Sequence, residues 1–446
     1  MRIKTYIAII ILCKFCMIAN TVSSQETEQF KKIPNLSLCL TTEKNRIKRS
    51  HFNFGLLSNV SQLQGSGINL FSGIVQNDLT GLQVSTLGNI TGSNSTGIQV
   101  SAIANIIGGN SYGTLINGLV NITDKQVYGL QIAGLGNISG EEAYGLTIGG
   151  LINVTGKKQY GVTISGLTNM NDEGMDGLQV SGIMNICGKE SRGIQIAGIN
   201  NVSSSIKGIQ FSAINNIVSK ELCGIQLSGV VNIATHSCRA FQISGITNIC
   251  PETIRGAQLA VSNYAGGING VQLGLLNLCG GKVKGVQIGI INHSKDTTAR
   301  KIGLVNLTPK THIQAMTFGG NTSKFNLGIR FKNQLIYTLL GFGTHYLDLN
   351  EKFSGSLFYR AGLYFPIVPK LELSGDLGFF HVENFQNSNT ENPDRLYSLQ
   401  TRINLEYQIT SKLGLFASGG YATTHYYKGS SPYKRNAIIE AGIVLF

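Results

Sequence analysis

Residues 177–185 read Gly-Leu-Gln-Val-Ser-Gly-Ile-Met-Asn, and close copies of this stretch recur along half of the chain. Two of the copies are Gly129-Leu-Gln-Ile-Ala-Gly-Leu-Gly-Asn137 and Gly224-Ile-Gln-Leu-Ser-Gly-Val-Val-Asn232. The copies make about fifteen units over residues 67–300. Their leading residues, at first 16 residues apart, are Gly81, Gly97, Gly113, Gly129, Gly145, Gly161, Gly177, Gly193, Gly208, Gly224, Ala240, Gly256, Gly270 and Gly285. Self-similarity at a fixed period is typical of repeat architectures and outweighs other signals.

Each unit alternates in polarity when its residues are counted from the leading glycine. Apolar residues occupy positions +1 and +3, Gln or Thr occupies +2, and Ser or Ala occupies +4. A period of two indicates a strand with one buried face, and we expect the apolar residues to form that face. Glycine or alanine at +5 allows the chain to bend, an apolar residue follows at +6, and the remaining residues are polar. Stacked units would bury a continuous thin core.

Asparagine at position +8 favours a β-solenoid. Stacking places the repeated asparagines over one another, so their amides can form a hydrogen-bonded ladder. At about 4.8 Å per coil, fifteen coils would make a rod roughly 70 Å long. A rival architecture is a large antiparallel barrel with one strand per unit, but it gives no reason for an Asn at one fixed place. The ladder is expected to contain Asn89, Asn105, Asn121, Asn137, Asn153, Asn169 and Asn185.

Composition supports an extended β protein and excludes several classes. The 446 residues include 56 glycines and 7 prolines without a collagen period, and helices tolerate glycine poorly. The formal charge of +13 is thinly spread, which argues against a nucleic-acid partner, where basic residues cluster.

The first residues have the parts of a secretory signal peptide, predicted to span 1–24, with a basic start, an apolar stretch and small residues before Gln25. An N-terminal segment and cap over 25–66 would follow, and the chain is expected to be exported. The remaining cysteines form no CxxC pair and the histidines no HxxxH spacing, so we predict no metal and no cofactor. Cys223 and Cys238 lie in adjacent coils, and if any pair bridges we expect this one.

The repeated unit G-[LIV]-Q-[VIL]-[SA]-G-[LI]-x-N resembles the repeats of bacterial surface-repeat proteins, including the leptospiral-type family. The resemblance covers about half of the chain. It implies an exported protein of the cell envelope, and it carries over no catalytic residues.

The sequence changes character near residue 310, which we take as the end of the solenoid domain at 67–310. Residues 311–446 hold 22 of the 35 aromatic residues, in longer alternating strands with one apolar and one charged face. This pattern favours a membrane β-barrel facing lipid with its apolar side, and a soluble β-sandwich is the alternative. Eight strands are predicted near 311–319, 324–332, 334–344, 353–365, 369–382, 395–409, 412–426 and 435–446.

Charged residues on the inner face of these strands are expected to form a salt-bridge network that fills the barrel. A proton or ion path is the alternative for the same residues. They are Arg360, Glu372, Asp376, Arg402, Glu406 and Glu440.

The position before each leading glycine forms a second candidate site. Its tyrosines and basic residues would bind an acidic glycan or another envelope polymer, or would simply stack as a structural ladder with a solvated basic edge. The candidate residues are Tyr112, Tyr128, Tyr144, Tyr160, Arg192, Lys207, Arg255 and Lys284, with Asp176 between the two groups.

These patterns predict a non-enzymatic outer-membrane protein for adhesion, display or envelope structure, with lipid around its barrel. The alternative is a polysaccharide lyase or hydrolase that uses the solenoid face, although the acidic residues are scattered in variable turns and we predict no catalytic residue. Because short connections of such barrels lie in the periplasm, the solenoid is predicted to be periplasmic, against the surface exposure that the resemblance implies.

Overall fold

The computed structural model of the chain describes residues 36–39, 49–344, 354–385, 395–427 and 432–446. Within these ranges every regular element is a β-strand, and the strands form a parallel stack followed by a closed antiparallel barrel. The predicted all-β solenoid and eight-stranded barrel are confirmed. The predicted leader at 1–24 lies outside the described residues.

The solenoid is built from the first 29 strands, mostly a longer and a shorter strand per coil. They are β1 Leu36–Cys39, β2 Ser50–Val60, β3 Leu63–Val75, β4 Leu79–Ser85, β5 Gly88–Thr91, β6 Ser95–Ser101, β7 Ala104–Ile107, β8 Ser111–Asn117, β9 Val120–Thr123, β10 Val127–Ala133, β11 Gly136–Ser139, β12 Ala143–Gly149, β13 Ile152–Thr155, β14 Lys158–Ser165, β15 Thr168–Asn171, β16 Gly174–Ser181, β17 Met184–Ala197, β18 Asn200–Ser212, β19 Asn215–Val218, β20 Leu222–Ser228, β21 Val231–Ala234, β22 Cys238–Ser244, β23 Thr247–Leu259, β24 Ser262–Leu273, β25 Leu276–Cys279, β26 Val283–Ile288, β27 Ile291–Ser294, β28 Arg300–Ile302 and β29 Val305–Leu307.

Each solenoid strand pairs in parallel with its copy in the next coil. Gly129 is opposite Gly145, and Asn137 is opposite Asn153, so the sequence repeat and the structural register coincide. The parallel pairing includes β1 and β2, which places coils before residue 67 as well.

The buried face of the solenoid is the polar one, which corrects the expectation from the alternation. In β10, Gln131 is 0% exposed and Ala133 is 3% exposed, whereas Leu130 and Ile132 point outward and are half-buried. Alternation defines two faces but not which of them turns inward. The inward face of these strands carries the small residues at +4, and amides stacked from coil to coil can satisfy one another, as Gln195 and Gln179 do.

The predicted asparagine ladder is confirmed, and it is longer than expected. Asn89 donates from Nδ2 to Oδ1 of Asn105 at 3.0 Å, and this step repeats without a break to Asn292, which donates to Asn306 at 2.9 Å. Each amide from Asn89 to Asn292 also donates to a backbone carbonyl of the next coil, as Asn169 does to Val180 at 2.7 Å. The ladder therefore ties adjacent coils together along the whole axis.

A second ladder of glutamines at position +2 runs through the C-terminal half and was not predicted. Gln195 donates from Nε2 to Oε1 of Gln179 at 3.0 Å, and the pattern continues to Gln287, which donates to Gln272 at 2.8 Å. The glutamines donate toward the N-terminal end, whereas the asparagines donate toward the barrel.

The leading glycine of each unit is required by the backbone. Gly129 has φ of 132°, and a Cβ there would lie 2.1 Å from the carbonyl oxygen of Gly113 in the preceding coil. A side chain is excluded both by the conformation and by the close approach of the coils.

Outward-pointing apolar residues follow the bend between the two strands of each coil. Together with the outward residues at +1 and +3 they form what we call the apolar edge. Its corner column, in which all members except Val230 are between 37% and 53% exposed, contains Leu87, Ile103, Leu119, Leu135, Leu151, Leu167, Ile183, Ile199, Ile214, Val230, Ile246, Val261, Leu275 and Ile290.

The barrel closes through pairing of its first and last strands. Its observed strands agree with the predicted ranges to within about three residues, and Phe353, predicted at one strand end, lies outside the described residues. They are β30 His312–Gly320, β31 Asn326–Asn333, β32 Ile336–Gly343, β33 Ser354–Val368, β34 Leu371–Asn384, β35 Arg395–Gln408, β36 Leu413–Tyr426 and β37 Pro432–Leu445.

Candidate functional surfaces

The candidate binding residues of the solenoid do share one outward column, which we call the tyrosine–basic column. Tyr128 is opposite Tyr112 and Tyr144, and Arg192 is opposite Asp176 and Lys207. The column runs beside the +1 residues on the outer face of the longer strands. It contains Tyr112, Tyr128, Tyr144, Tyr160, Asp176, Arg192, Lys207, Cys223, Arg239, Arg255, Asn269 and Lys284.

The four tyrosines stack face to face. Ring centroids are 5.1 Å apart for Tyr112 and Tyr128, 4.6 Å for Tyr128 and Tyr144 and 4.5 Å for Tyr144 and Tyr160, with interplanar angles of at most 7°. The far side of the stack is contacted by the Lys158 ammonium, 5.0 Å from the Tyr160 ring. Burial between neighbouring rings raises the pKa of Tyr144. The inner ring faces are therefore covered, and the stack offers mainly edges and hydroxyl groups to a ligand.

The basic half of the column divides into paired and unpaired residues. Arg192 and Lys207 both contact Glu190, at 3.1 and 3.0 Å, and the Lys207 ammonium and Arg192 guanidinium lower the pKa of that carboxyl. Within the described ranges, Arg239, Arg255 and Lys284 have no ion pair. Three exposed cations thus stand near the barrel end of the column.

Several of the scattered carboxylates of the solenoid are paired with lysines. Lys157 lies 3.5 Å from Glu141, and Lys158 lies 2.9 Å from Asp176. Glu173 and Lys189 form a further pair, in which the lysine lowers the pKa of the carboxyl. Among the described residues no group of three His, Cys, Asp or Glu side chains has the arrangement of a metal site.

The predicted cysteine pair is wrong. The register places Cys223 opposite Arg239 and Leu222 opposite Cys238, so Cys223 points outward while Cys238 points into the core. Two side chains on opposite faces of a sheet cannot bridge without backbone movement. Cys238 instead shares the core with Cys250, and this neighbouring thiol together with burial raises the pKa of Cys238.

The predicted inner charges of the barrel form a connected network. Arg360 donates to both carboxylate oxygens of Asp376, at 3.0 and 2.6 Å, and Arg402 donates to both oxygens of Glu440, at 2.9 and 3.0 Å. Arg360 also approaches Glu440 to 3.7 Å. All four side chains are at most 2% exposed.

Two cations of this network were not predicted from the sequence. Arg330 lies 2.7 Å from Glu406, and Lys332 pairs with Glu372. Both follow the alternation of β31, which places them inward, on the face opposite to the outward-pointing Leu327 and Ile329. Four cations therefore meet four carboxylates, and the salt-bridge interpretation is favoured by this balance.

The outer wall of the barrel carries the opposite character. Its outward residues are large and apolar on every strand, and several exceed 60% exposure. They include Ile313, Leu327, Ile329, Phe342, Leu357, Leu363, Leu377, Leu399, Ile403, Leu415, Ile439 and Ile443.

The last solenoid coil is fixed to the barrel by hydrogen bonds at the end where the short turns lie. Asn333 donates from Nδ2 to the carbonyl of Asn306 at 2.6 Å, and Gln334 donates to the carbonyl of Thr297 at 2.6 Å. A further contact lies away from the short turns: Tyr359, which points outward from β33 and is nearer to Ser354 than to Val368, donates its hydroxyl to the carbonyl of Gly303 at 3.3 Å.

Comparison with known proteins assigns this chain to no family. No family model and no curated protein matches the chain. Among solved structures, the N-terminal β-barrel domain of OprF from Pseudomonas aeruginosa is similar at 16% identity and a TM-score of 0.22, covering 30% of this chain and 93% of that domain. In the described ranges, no helix has the length and apolar character needed to cross a membrane.

Proposed function

We propose that this chain is a non-enzymatic outer-membrane protein whose barrel anchors the solenoid as a structural or adhesive arm of the bacterial cell envelope. The observation that carries the proposal is the inverted polarity of the barrel: its outer wall is apolar on every strand and its interior is ion-paired. Water would disfavour such a wall, whereas acyl chains match it. Closure also leaves no strand edge, as a membrane barrel requires.

The solenoid is placed on the periplasmic side in this proposal. Two connections at the solenoid end are two-residue turns, at 334–335 and 369–370, and the third spans only 409–412. At the other end the strands are separated by 344–353, 385–394 and 427–431, and by the shorter 321–325. Short turns face the periplasm in outer-membrane barrels and long loops face outward.

A structural or adhesive role is supported by the regularity of the solenoid surface. Columns present one type of side chain coil after coil, as the stacked tyrosines do. Such a surface suits an extended contact rather than a reaction centre, where different groups converge on one point. The resemblance to surface-repeat proteins agrees with an envelope location and leaves open which side of the membrane the repeats occupy.

Fractionation and labelling of cells test the proposal. We expect the protein in the outer-membrane fraction, with a barrel that resists SDS until it is heated. An epitope inserted after Phe385, in the connection 385–394, should be labelled on intact cells, whereas an epitope in the solenoid turn at Lys125 should be labelled only after permeabilisation. A soluble periplasmic or cytoplasmic protein would contradict the proposal, and labelling of the Lys125 epitope on intact cells would reverse the orientation.

A further inference from the structure

The apolar edge of the solenoid has no partner within the described chain. Its corner column continues through coil after coil from Leu87 to Ile290, and neighbouring +1 and +3 residues such as Phe241 and Phe211 are 56% and 51% exposed. Soluble monomers rarely expose continuous apolar surface beyond a few hundred Å². A covering surface is therefore required along most of the rod.

The order of side chains across one coil matches a membrane interface. On the outer face of β10, Tyr128 comes first, Leu130 and Ile132 follow, and Leu135 occupies the corner. Polar turn residues such as Lys125 lie beyond Tyr128, on the other side of it from the corner. Tyrosine, arginine and lysine are the residues that occupy the boundary between acyl chains and water, because each combines an apolar body with a polar tip.

The junction with the barrel connects this edge to the lipid-facing wall. Gly303, which accepts the hydrogen bond from outward-pointing Tyr359, occupies the bend of the last coil beside Ile302, which is 62% exposed. The bend belongs to the same side of the solenoid as the apolar edge. The edge therefore starts at the apolar outer wall of the barrel.

The charge beside the edge favours a lipid surface over a second copy of the chain. Arg239, Arg255 and Lys284 have no ion pair among the described residues, and all three stand in the half of the column nearest the barrel. Anionic headgroups would neutralise them, whereas a second copy offers this region only the same tyrosine–basic column.

We propose that the solenoid lies along the surface of the membrane that holds its barrel, with the apolar edge inserted among the lipids and the tyrosine–basic column at the level of anionic headgroups. This inference rests on the proposed function for the barrel. Amphipathic elements of this kind insert about 5–10 Å into the boundary between headgroups and acyl chains. The rod would then run along the bilayer rather than project from it.

Depth-dependent fluorescence quenching in vesicles tests the inference. The full chain, with Cys39 and Cys223 replaced by serine, is refolded into phosphatidylcholine–phosphatidylglycerol vesicles that contain acyl-chain spin labels. An environment-sensitive fluorophore is attached either at Leu151→Cys, in the corner column, or at Lys125→Cys, in the polar turn. We expect quenching of about half or more of the emission at 151 and little at 125. In the triple variant R239Q/R255Q/K284Q, quenching at position 151 should depend less on the fraction of phosphatidylglycerol in the vesicles.

Each outcome decides between distinct interpretations. A barrel that inserts, as judged by resistance to SDS before heating, together with unquenched emission at 151, overturns the inference and leaves the proposed function intact. Blue-shifted but unquenched emission at 151, with cross-linked dimers, would assign the edge to a second copy and also overturn it. Failure of the barrel to insert would contradict the proposed function itself.

Discussion

In the solenoid a buried amide finds its partner in the next copy of itself, whereas in the barrel a buried cation finds a carboxylate on another strand. Asn169 bonds to Asn153 and Asn185 along the axis, and Arg360 bonds to Asp376 across the barrel interior. Both regions bury polar side chains and expose apolar ones, yet only the solenoid repeats one solution. Buried polar groups are thus paired by repetition in the solenoid and by a specific network in the barrel, and the two regions should respond differently to substitution.

The largest expected effect is in the barrel. Arg360→Met leaves Asp376, and in part Glu440, as buried charges without their partner, and breaking a buried ion pair costs about 3–5 kcal/mol. The measurement is urea unfolding of the refolded protein in vesicles. Arg395→Met, which removes an exposed pair with Glu383, is the matched control and should cost about 1 kcal/mol or less. Equal effects of the two variants would argue against an energetically important network.

The next effect concerns the asparagine ladder. Asn169→Leu leaves Oδ1 of Asn185 and the carbonyl of Val180 without their donor. Each buried acceptor left without a partner lowers the free energy of unfolding by about 1–3 kcal/mol. We expect proteolysis to begin in the coils around residue 169, because only neighbouring coils lose contacts. Asn269→Leu, at an exposed position for which the described residues offer no side-chain hydrogen bond, is the control. Unchanged protease resistance in Asn169→Leu would mean that the ladder contributes little.

A pair of glycine substitutions should affect the stability of the two regions differently. Gly129→Ala introduces a side chain at φ of 132° and 2.1 Å from a backbone oxygen, and a strained conformation costs about 1–3 kcal/mol. Gly419→Ala, on the outer wall of the barrel, meets no atom within 4 Å and should leave the unfolding midpoint unchanged. Equal destabilisation by the two variants would contradict the close approach of neighbouring coils at Gly129 as the cause of the effect.

The smallest expected effect is a pH dependence of the free energy of unfolding, caused by Lys301 at the end of the ladder of glutamines. Lys301 stands opposite Gln287, and burial lowers the pKa of its ammonium to about 8. The unfolded chain holds this proton up to about pH 10.4, so the contribution of Lys301 to stability should rise as the pH increases from about 8 to about 10. Lys301→Gln should remove that rise, and the introduced glutamine can donate to Oε1 of Gln287. If the urea midpoint changed by the same amount between about pH 7 and about pH 9.5 in the wild type and in Lys301→Gln, this prediction would be contradicted.

The sequence predicted the architecture well because repetition and alternation are local signals. The period located the coils, the fixed Asn at +8 predicted the ladder, and the barrel strands were placed by apolar alternation. The inward face of the solenoid was predicted wrongly, since Leu130 and Gln131 alternate equally well in either orientation. The hydrogen bonds that satisfy inward amides such as Gln195, which donates to Gln179 of the preceding coil, exist only in the stack and are not a property of one unit.

The candidate surfaces were predicted in part. The register predicts that the tyrosines and basic residues share one column. The face-to-face stacking that covers the tyrosine rings depends on side-chain orientation, which the spacing in the sequence does not determine. Cys223 and Cys238 are one residue apart in register, and that single step separates the surface from the core. Arg330 and Lys332 could have been found from the alternation of β31, because they share a face with Gly328 and oppose Leu327 and Ile329.

The opposite directions of the two amide ladders have an electrostatic consequence. Between Gln179 and Gln287, each coil adds one Asn amide dipole aimed one way along the axis and one Gln amide dipole aimed the other way. The two nearly cancel, and the sheets themselves add little net dipole. Coils can therefore be added to or removed from this half without building up charge at the ends of the rod.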